Sequence, residues 1–418
     1  MLYLKECKKV IFSLTFLIYA VVVFLMYSSQ FDYDNREPLA RPMEGLADYG
    51  MVAKEVPEIL MPAAIEGLVE EYLSGSFNAY PYGFIKYVRL KEDEKSDMAE
   101  IIYELSGITP EELDAFEAYE PGGYFMDENG YIIYSEPNLP AINIPDDLTY
   151  EHFRELMDEA DRIIGGGSRY SDSYIVGNFS LVPKTYEDAL EEYNLFFTED
   201  HIIGGYARLY CDYLGIVVAI LPVFVAASLT GLDKKSHMEQ LLYTRKISSM
   251  KLIITRFLAL ISVMMVPVLL TAFDAYIDIK ALYPENDLNV MILLQYVFCW
   301  LGPNLTASAA MGMLVTESTS GLVAIFIQGA WWFYSIFAST GGLTGAIEKF
   351  TFVMRHNNLL KYDIFIAQMD DIIFNRIFYT VLSIIIVLLT VFIHSQKRRG
   401  FFNGMGISVK NIKSKSKA

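Results

Sequence analysis

Val10–Tyr27 reads VIFSLTFLIYAVVVFLMY, a run without one charged residue, and no other feature constrains the fold as much. A helix advances about 1.5 Å per residue, so roughly 20 apolar residues cross the hydrocarbon of a bilayer. Five further runs approach that length: Leu209–Leu229, Leu252–Phe273, Val290–Val315, Leu322–Ala338 and Ile372–Ile393. Asp212, Arg256 and Arg376 lie near the ends of the second, third and sixth. Gly302-Pro303 inside the fourth predicts a kink. The basic start (Lys5, Lys8, Lys9) would also suit a cleaved signal peptide. The run ends in Tyr27-Ser28-Ser29-Gln30-Phe31, however, without a small-x-small cleavage site, so an uncleaved span is expected.

Composition is divided in the same way. Hydrophobic residues make up 53% of the 418, yet the formal net charge is −18. Residues 29–205 hold about three quarters of the acidic residues and only about a third of the basic ones, so the acidic excess belongs to one block. Cys7, Cys211 and Cys299 all lie outside it, which excludes a disulfide framework there. Cys211 and Cys299 read as small apolar residues of membrane helices.

Lys and Arg favour the cytoplasmic side of a membrane. They gather before the first run, between the second and third (Lys234, Lys235, Arg245, Lys246, Lys251), and after the sixth (Lys397, Arg398, Arg399 and four later lysines). Six spans put all three stretches on one face, and the acidic connector Asp274–Asp287 on the other. The fold expected is an α-helical polytopic membrane protein with six transmembrane helices and an inserted, mostly helical α+β extracellular domain. Residues 1–9 form a cytoplasmic N-terminus, 10–28 the first span, 29–205 the acidic extracellular domain and 206–230 the second span. Residues 231–251 form a cytoplasmic loop, 252–394 the remaining spans and 395–418 a basic cytoplasmic tail. The chain thus belongs in the cell membrane with both termini cytoplasmic. Trp331, Trp332 and Tyr334 suit either an interfacial aromatic belt or packing inside a bundle.

Within the acidic block, Thr109-Pro110-Glu111-Glu112, Thr149-Tyr150-Glu151 and Thr185-Tyr186-Glu187 mark helix starts: a capping hydroxyl is followed by acids near the positive end of the helix. Glu58–Leu73 and Glu94–Leu105 read as further helices, and Phe84–Leu90 and Tyr131–Tyr134 as strands. Asp127-Glu128-Asn129-Gly130 is a turn; it lacks the alternating ligands and closing Glu of a calcium loop. The helix from Thr185 is expected to run toward Ile203, with Gly204-Gly205 loosening the start of the second span. Gly165-Gly166-Gly167-Ser168 lacks the Lys-Ser/Thr ending of a phosphate loop and follows a helix. Acidity here reads first as solubility, and second as attraction for cations.

No HExxH, G-x-S-x-G, Walker A or CxxC is present, and the five histidines have no metal-ligand spacing. No catalytic, cofactor or metal site is expected, and no nucleic-acid partner. Arg208 and Asp212 are four residues apart, share a helix face and are expected to pair at the interface or along a pathway.

The connector between the second and third runs is more informative. An amphipathic piece, Ser236–Tyr243, is followed by Thr244-Arg245-Lys246, then Ile247-Ser248-Ser249, then a basic-flanked helix continuing into the third run. Leu241, Leu242, Tyr243 and Ile247 are apolar residues in an otherwise charged stretch. Glu239-Gln240-Leu241-Leu242-Tyr243-Thr244, Ile247-Ser248, and then Lys251 and Arg256-Phe257-Leu258-Ala259 resemble the same loop in permease subunits of ABC-2 type transporters. Arg245-Lys246 stands where that family has proline, and the family's upstream Gly-Thr is absent.

The resemblance implies a permease with no catalytic site of its own, coupled through Glu239, Leu241, Leu242, Tyr243, Thr244, Arg245, Lys246 and Ile247 to a separate ATPase subunit that holds the ATP. It also implies a second permease, as homodimer or heterodimer, and export of a substrate the sequence does not name. The six-span layout resembles the subgroup with an enlarged first loop, and the apolar segment at about 340–371 resembles that family's re-entrant helices. The N-terminal amphipathic helix of some relatives is expected to be missing, since only nine residues precede the first run. The basic tail would meet anionic lipid or the ATPase. Two alternatives stand: a mechanotransmitting ABC permease with four spans, and a membrane sensor whose outer domain binds a ligand.

Overall fold

The computed structural model describes residues 2–32, 37–79, 86–116, 119–126, 132–236, 243–244, 246–338 and 350–400. The chain is mostly helical and divides into two compact units. One holds Met1–Arg41 and most of the chain from Glu192 onward; the other holds Pro42–Glu191.

The first unit begins with a surprise. Leu2–Ile11 (α1) is a separate helix, ended by a turn at Phe12 before α2 (Leu14–Met26). Ser13 explains the break: its side chain accepts from the Phe16 N–H and caps α2. An N-terminal amphipathic helix is therefore present, contrary to expectation. The lysines that suggested a plain basic leader sit on it, while Glu6 and Val10 are buried. A π-turn, Tyr27–Asp32, follows α2.

The second unit is assembled from α3 (Pro57–Ser74), α4 (Glu92–Ser106), α5 (Pro110–Asp114), α6 (Tyr150–Ile164) and α7 (Ile175–Phe179). Three antiparallel strand pairs accompany them: β1 (Met51–Ala53) with β6 (Leu181–Pro183), β2 (Phe77–Ala79) with β3 (Lys86–Val88), and β4 (Gly123–Met126) with β5 (Ile132–Ser135). Pairing β1 with β6 closes the unit between its two chain ends, a long-range contact that no local pattern signals. Leu60, Ile65, Leu68, Met98, Ile102 and Phe153 form its core. Thr109 and Thr149 cap as expected, with Thr109 and Glu112 bonding reciprocally. Gly165, at φ 106°, ends α6 in the left-handed conformation, so the glycine run is a helix stop. The Asp127–Gly130 turn lies outside the described residues.

One carboxylate in that core carries a pH dependence. Glu71 is buried and accepts from the Tyr170 hydroxyl at 2.9 Å, with Arg169 at 3.5 Å. Burial raises its pKa above the usual 4.5, and Arg169 opposes the rise. A raised folded pKa means the native state binds the proton more tightly. The resulting stabilisation is full below about pH 4.5 and is lost as pH rises through the folded value. Hydrogen exchange of the α3 amides in the full chain should slow as pH falls from 7 toward 5, after correction for intrinsic exchange. Glu71→Gln should abolish that trend; an identical trend in the variant would remove Glu71 as its source.

The helix α8 (Tyr186–Thr198) carries the division between the units and stops short of the reach expected of it. His201 and Ile202 take positive φ of 52° and 62°, a conformation that ends a helix. Beyond them the first unit, resumed at Glu192, continues with α9 (Ile203–Ile220), α10 (Pro222–Lys235), α11 (Ser249–Leu282), α12 (Val290–Tyr296), α13 (Gly302–Ser318), α14 (Gly321–Ala338), α15 (Tyr362–Ala367) and α16 (Met369–Arg398).

Among the described residues, five stretches are long and apolar enough to cross a membrane: Leu14–Phe31, Ile203–Asp233, Ser249–Leu282, Val290–Ser318 and Met369–Arg398. The chain is a candidate multi-pass membrane protein. Phe326 is 77% and Leu322 71% exposed on α14, as expected of side chains facing lipid. α14 itself is apolar but shorter.

Single glycines and prolines shape the helices and their packing. A Cβ on Gly312 would lie 2.9 Å from the Ala226 Cβ and 3.1 Å from the Val223 carbonyl, so α10 and α13 touch nearly backbone to backbone. Gly302-Pro303 produces not a simple kink but a π-turn, Val297–Leu301, leading into α13. Pro267 lies within α11, and on either side of it Tyr19 donates to the Met264 carbonyl at 3.0 Å and Tyr210 to the Val268 carbonyl at 2.6 Å, tying α2 and α9 to this stretch of α11.

Candidate functional site

Residues 351–360 are irregular backbone threaded among the helices, with Phe352, Val353, Met354 and His356 fully buried. Buried peptide groups without partners are costly, so a strap of this kind persists only if side chains replace the missing ladder. They do, from three different helices. Asn375 donates to the Thr351 carbonyl at 2.8 Å, and Ser335 accepts from the Val353 N–H at 2.7 Å. The Asp212 carboxylate accepts from the His356 N–H at 3.0 and 3.1 Å and from the Asn357 N–H at 2.5 Å. Arg208 donates to the Leu359 carbonyl at 3.2 Å. Asn357 takes φ 53°, which asparagine tolerates better than most residues and which lets two successive N–H groups converge on one carboxylate.

Arg208 and Asp212 are therefore not a pair. Arg208, fully buried, forms a fork with Asp200 at 2.8 and 2.7 Å, and its guanidinium lies 4.6 Å from the Phe365 ring centroid. Asp212 faces backbone donors instead. The i,i+4 spacing was suggestive, but the turn at His201–Ile202 folds Asp200 back onto the start of α9, where it reaches the arginine first. Gly204 and Gly205 allow this, since a Cβ on Gly205 would lie 2.8 Å from the Leu359 carbonyl and 3.0 Å from Asp200 Oδ2. These glycines admit close packing; they do not loosen the helix.

Burial, reinforced by the charge of Arg208, lowers the His356 pKa to about 4, so the ring is neutral at pH 7. Its Nε2, 3.1 Å from the Leu360 carbonyl, then carries the proton and donates.

Arg376, 7% exposed, lies beside the strap on α16. It donates to the Trp300 carbonyl in the π-turn at 2.8 Å, to Asn304 at 2.7 Å, to Asn375, and more weakly to the Phe352 carbonyl at 3.4 Å. Trp331 stacks on Phe352 at 4.3 Å, and Trp332 donates to the Ile216 carbonyl at 2.8 Å. Both tryptophans thus pack within the bundle.

At the other end of α16 a second polar cluster holds the connector. Arg398 donates to the Tyr243 carbonyl at 3.0 Å and to the Ile247 carbonyl at 2.5 Å, and the Tyr243 ring meets His394 edge-on at 5.6 Å. His394 faces Glu317 at 3.3 Å, and Lys397 bonds the Glu317 carbonyl. Arg256 bridges Asp233 at 2.6 Å and Glu6 at 3.4 Å, fastening α1 to α10 and α11. Lys397 and Arg398 are thus helical and bonded within the bundle, whereas the sequence reading places them in a basic cytoplasmic tail that meets lipid or the ATPase. Of the connector residues singled out above, Tyr243, Thr244, Lys246 and Ile247 are described, and Thr244 and Lys246 are exposed. Glu239, Leu241, Leu242 and Arg245 lie outside the described residues, as do 339–349 of the apolar segment and the tail from residue 401.

Sequence reasoning missed Asp200, Asn375 and Arg398 as partners. Only the placement of two polar residues, Asn375 and Arg376, near the start of a long apolar run hinted at one of them. Among the described residues no group of three or more His, Cys, Asp and Glu side chains is placed to hold a metal ion. Comparison with protein-family models, curated proteins and solved structures finds no match to this chain.

Proposed function

We propose that this chain is the permease subunit of an ABC-2 type exporter, driven by a separate ATPase subunit acting on the connector between its second and third spans. In this reading α14 is the fifth of six spans, both termini are cytoplasmic, and residues 29–205 form an extracellular domain. A second permease completes the pathway. The observation that carries the reading is the grip of Arg398 on the carbonyls of Tyr243 and Ile247. It ties the connector to α16, whose other end holds the strap through Asn375 and Arg376. Between Arg376 and Arg398 a helix spans about 33 Å. A push on the connector is thereby delivered along one rigid rod to a buried, non-helical segment on the far side. Five long apolar helices with α14 beside them also favour this layout over one of four spans.

The test is co-expression of the full chain with an ATPase encoded beside it, followed by ATP hydrolysis measured on the reconstituted complex. Leu241→Asp with Leu242→Asp should lower assembly and hydrolysis on the order of tenfold or more. Arg398→Met should leave assembly intact while uncoupling hydrolysis from transport. The reading fails if the chain purifies without an ATP-hydrolysing subunit, or if the double-Asp variant works at the wild-type rate.

A further inference from the structure

A groove of about 710 Å³ opens between α11, the π-turn with α13, and α16. Its walls are apolar, formed chiefly by Ile261, Met265, Leu269, Phe298, Ile377 and Val381. Phe298, Ile377 and Val381 are 50%, 59% and 48% exposed, so the groove faces the medium that surrounds the helices. The hydroxyls along it are already committed: Ser262, Thr306 and Thr380 donate to the carbonyls of Leu258, Gly302 and Arg376 in their own helices. The groove therefore offers a ligand little free hydrogen bonding, which argues against a sugar or a peptide.

What it does offer is charge. Arg376 lines the groove, and its partners are neutral: the carbonyls of Trp300 and Phe352, and the side-chain oxygens of Asn304 and Asn375. Among the described residues no carboxylate pairs with it, in contrast to Arg208 and Arg256. Neutral acceptors solvate a guanidinium but leave its full positive charge, and an uncompensated charge in a low-dielectric setting is costly. The same setting strengthens its attraction for an anion. A volume of this size lies within the roughly 300–1,000 Å³ of single-ligand sites. It suits one acyl chain and the near part of a headgroup. The surrounding bilayer supplies one ligand abundantly that combines an apolar chain with a negative charge.

We propose that this groove binds one anionic phospholipid of the surrounding membrane, its phosphate beside Arg376 and one acyl chain along the wall formed by α11 and α16. The lipid then supplies the counter-charge that the protein lacks. The site does not depend on the transport reading, and its test does not use transport.

The full chain, purified and stripped with detergent, is exchanged against phosphatidylglycerol or phosphatidylcholine, and the lipid retained per chain is measured by native mass spectrometry. About one phosphatidylglycerol per chain should survive the exchange, with phosphatidylcholine washed out. Arg376→Gln should lower retention by at least about tenfold. Thr380→Trp fills the groove while leaving Arg376 in place, and it should also expel the lipid; it decides the matter if the first variant fails to fold. Equal retention of the two lipids, or unchanged phosphatidylglycerol in both variants, overturns the proposal. So does a Thr380→Trp protein that loses subunit association but no lipid, which would assign the groove to a second copy of the chain.

Discussion

Replacing Arg208 by methionine is expected to destabilise the first unit by about 3–5 kcal/mol, the largest loss from any single exchange considered for this protein. Methionine keeps much of the stem volume, so the loss comes from charge rather than from a cavity. Asp200, 4% exposed, would be left without the guanidinium that binds both its oxygens, and the Leu359 carbonyl would lose a donor. Removing one partner of a buried pair costs more than removing both, because it leaves an ion in a medium that solvates it poorly. Arg208→Met combined with Asp200→Asn should therefore recover part of the loss. The measurement is the SDS fraction needed to unfold the full chain in mixed micelles. A single variant within about 1 kcal/mol of wild type, or a double variant no better than the single one, would refute the account.

Asp212→Ala should act on the strap by another route. The buried backbone N–H of His356 loses its acceptor, while that of Asn357, an exposed residue, can turn to solvent. An unsatisfied buried donor costs about 1–3 kcal/mol, so a loss of about that size is expected. Asp212→Asn keeps one oxygen and should cost less. Local opening distinguishes this from global loss: hydrogen exchange at residues 352–360 should accelerate far more than in α13. Uniform acceleration throughout the first unit would show that Asp212 stabilises the bundle and not the strap. Arg208 and Asp212 hold the same segment, so their effects should not add.

The two clusters explain why so many polar residues lie near the ends of otherwise apolar helices. At one end of α16 Asn375 and Arg376 meet carbonyls of the strap, and at the other Arg398 meets the carbonyls of Tyr243 and Ile247. Arg376 stands apart because its acceptors are neutral, and that difference is what points to a lipid.

Local information was enough for much of this molecule. Five of the apolar runs reappear as long membrane-compatible helices because helix formation and burial depend on nearest turns and on side-chain polarity, both written in the sequence. The same holds for the caps at Thr109 and Thr149, where a hydroxyl meets an N–H three residues on. Tertiary structure alone decided the partners. Asp200 displaces Asp212 from Arg208 because positive φ at His201 and Ile202 reverses the chain, and no propensity predicts that conformation for a β-branched isoleucine. Arg398 finds the connector from about 150 residues away, and β1 finds β6 across the whole second unit. Such contacts are set by which buried polar groups remain unsatisfied once the helices have packed, a quantity that exists only in three dimensions.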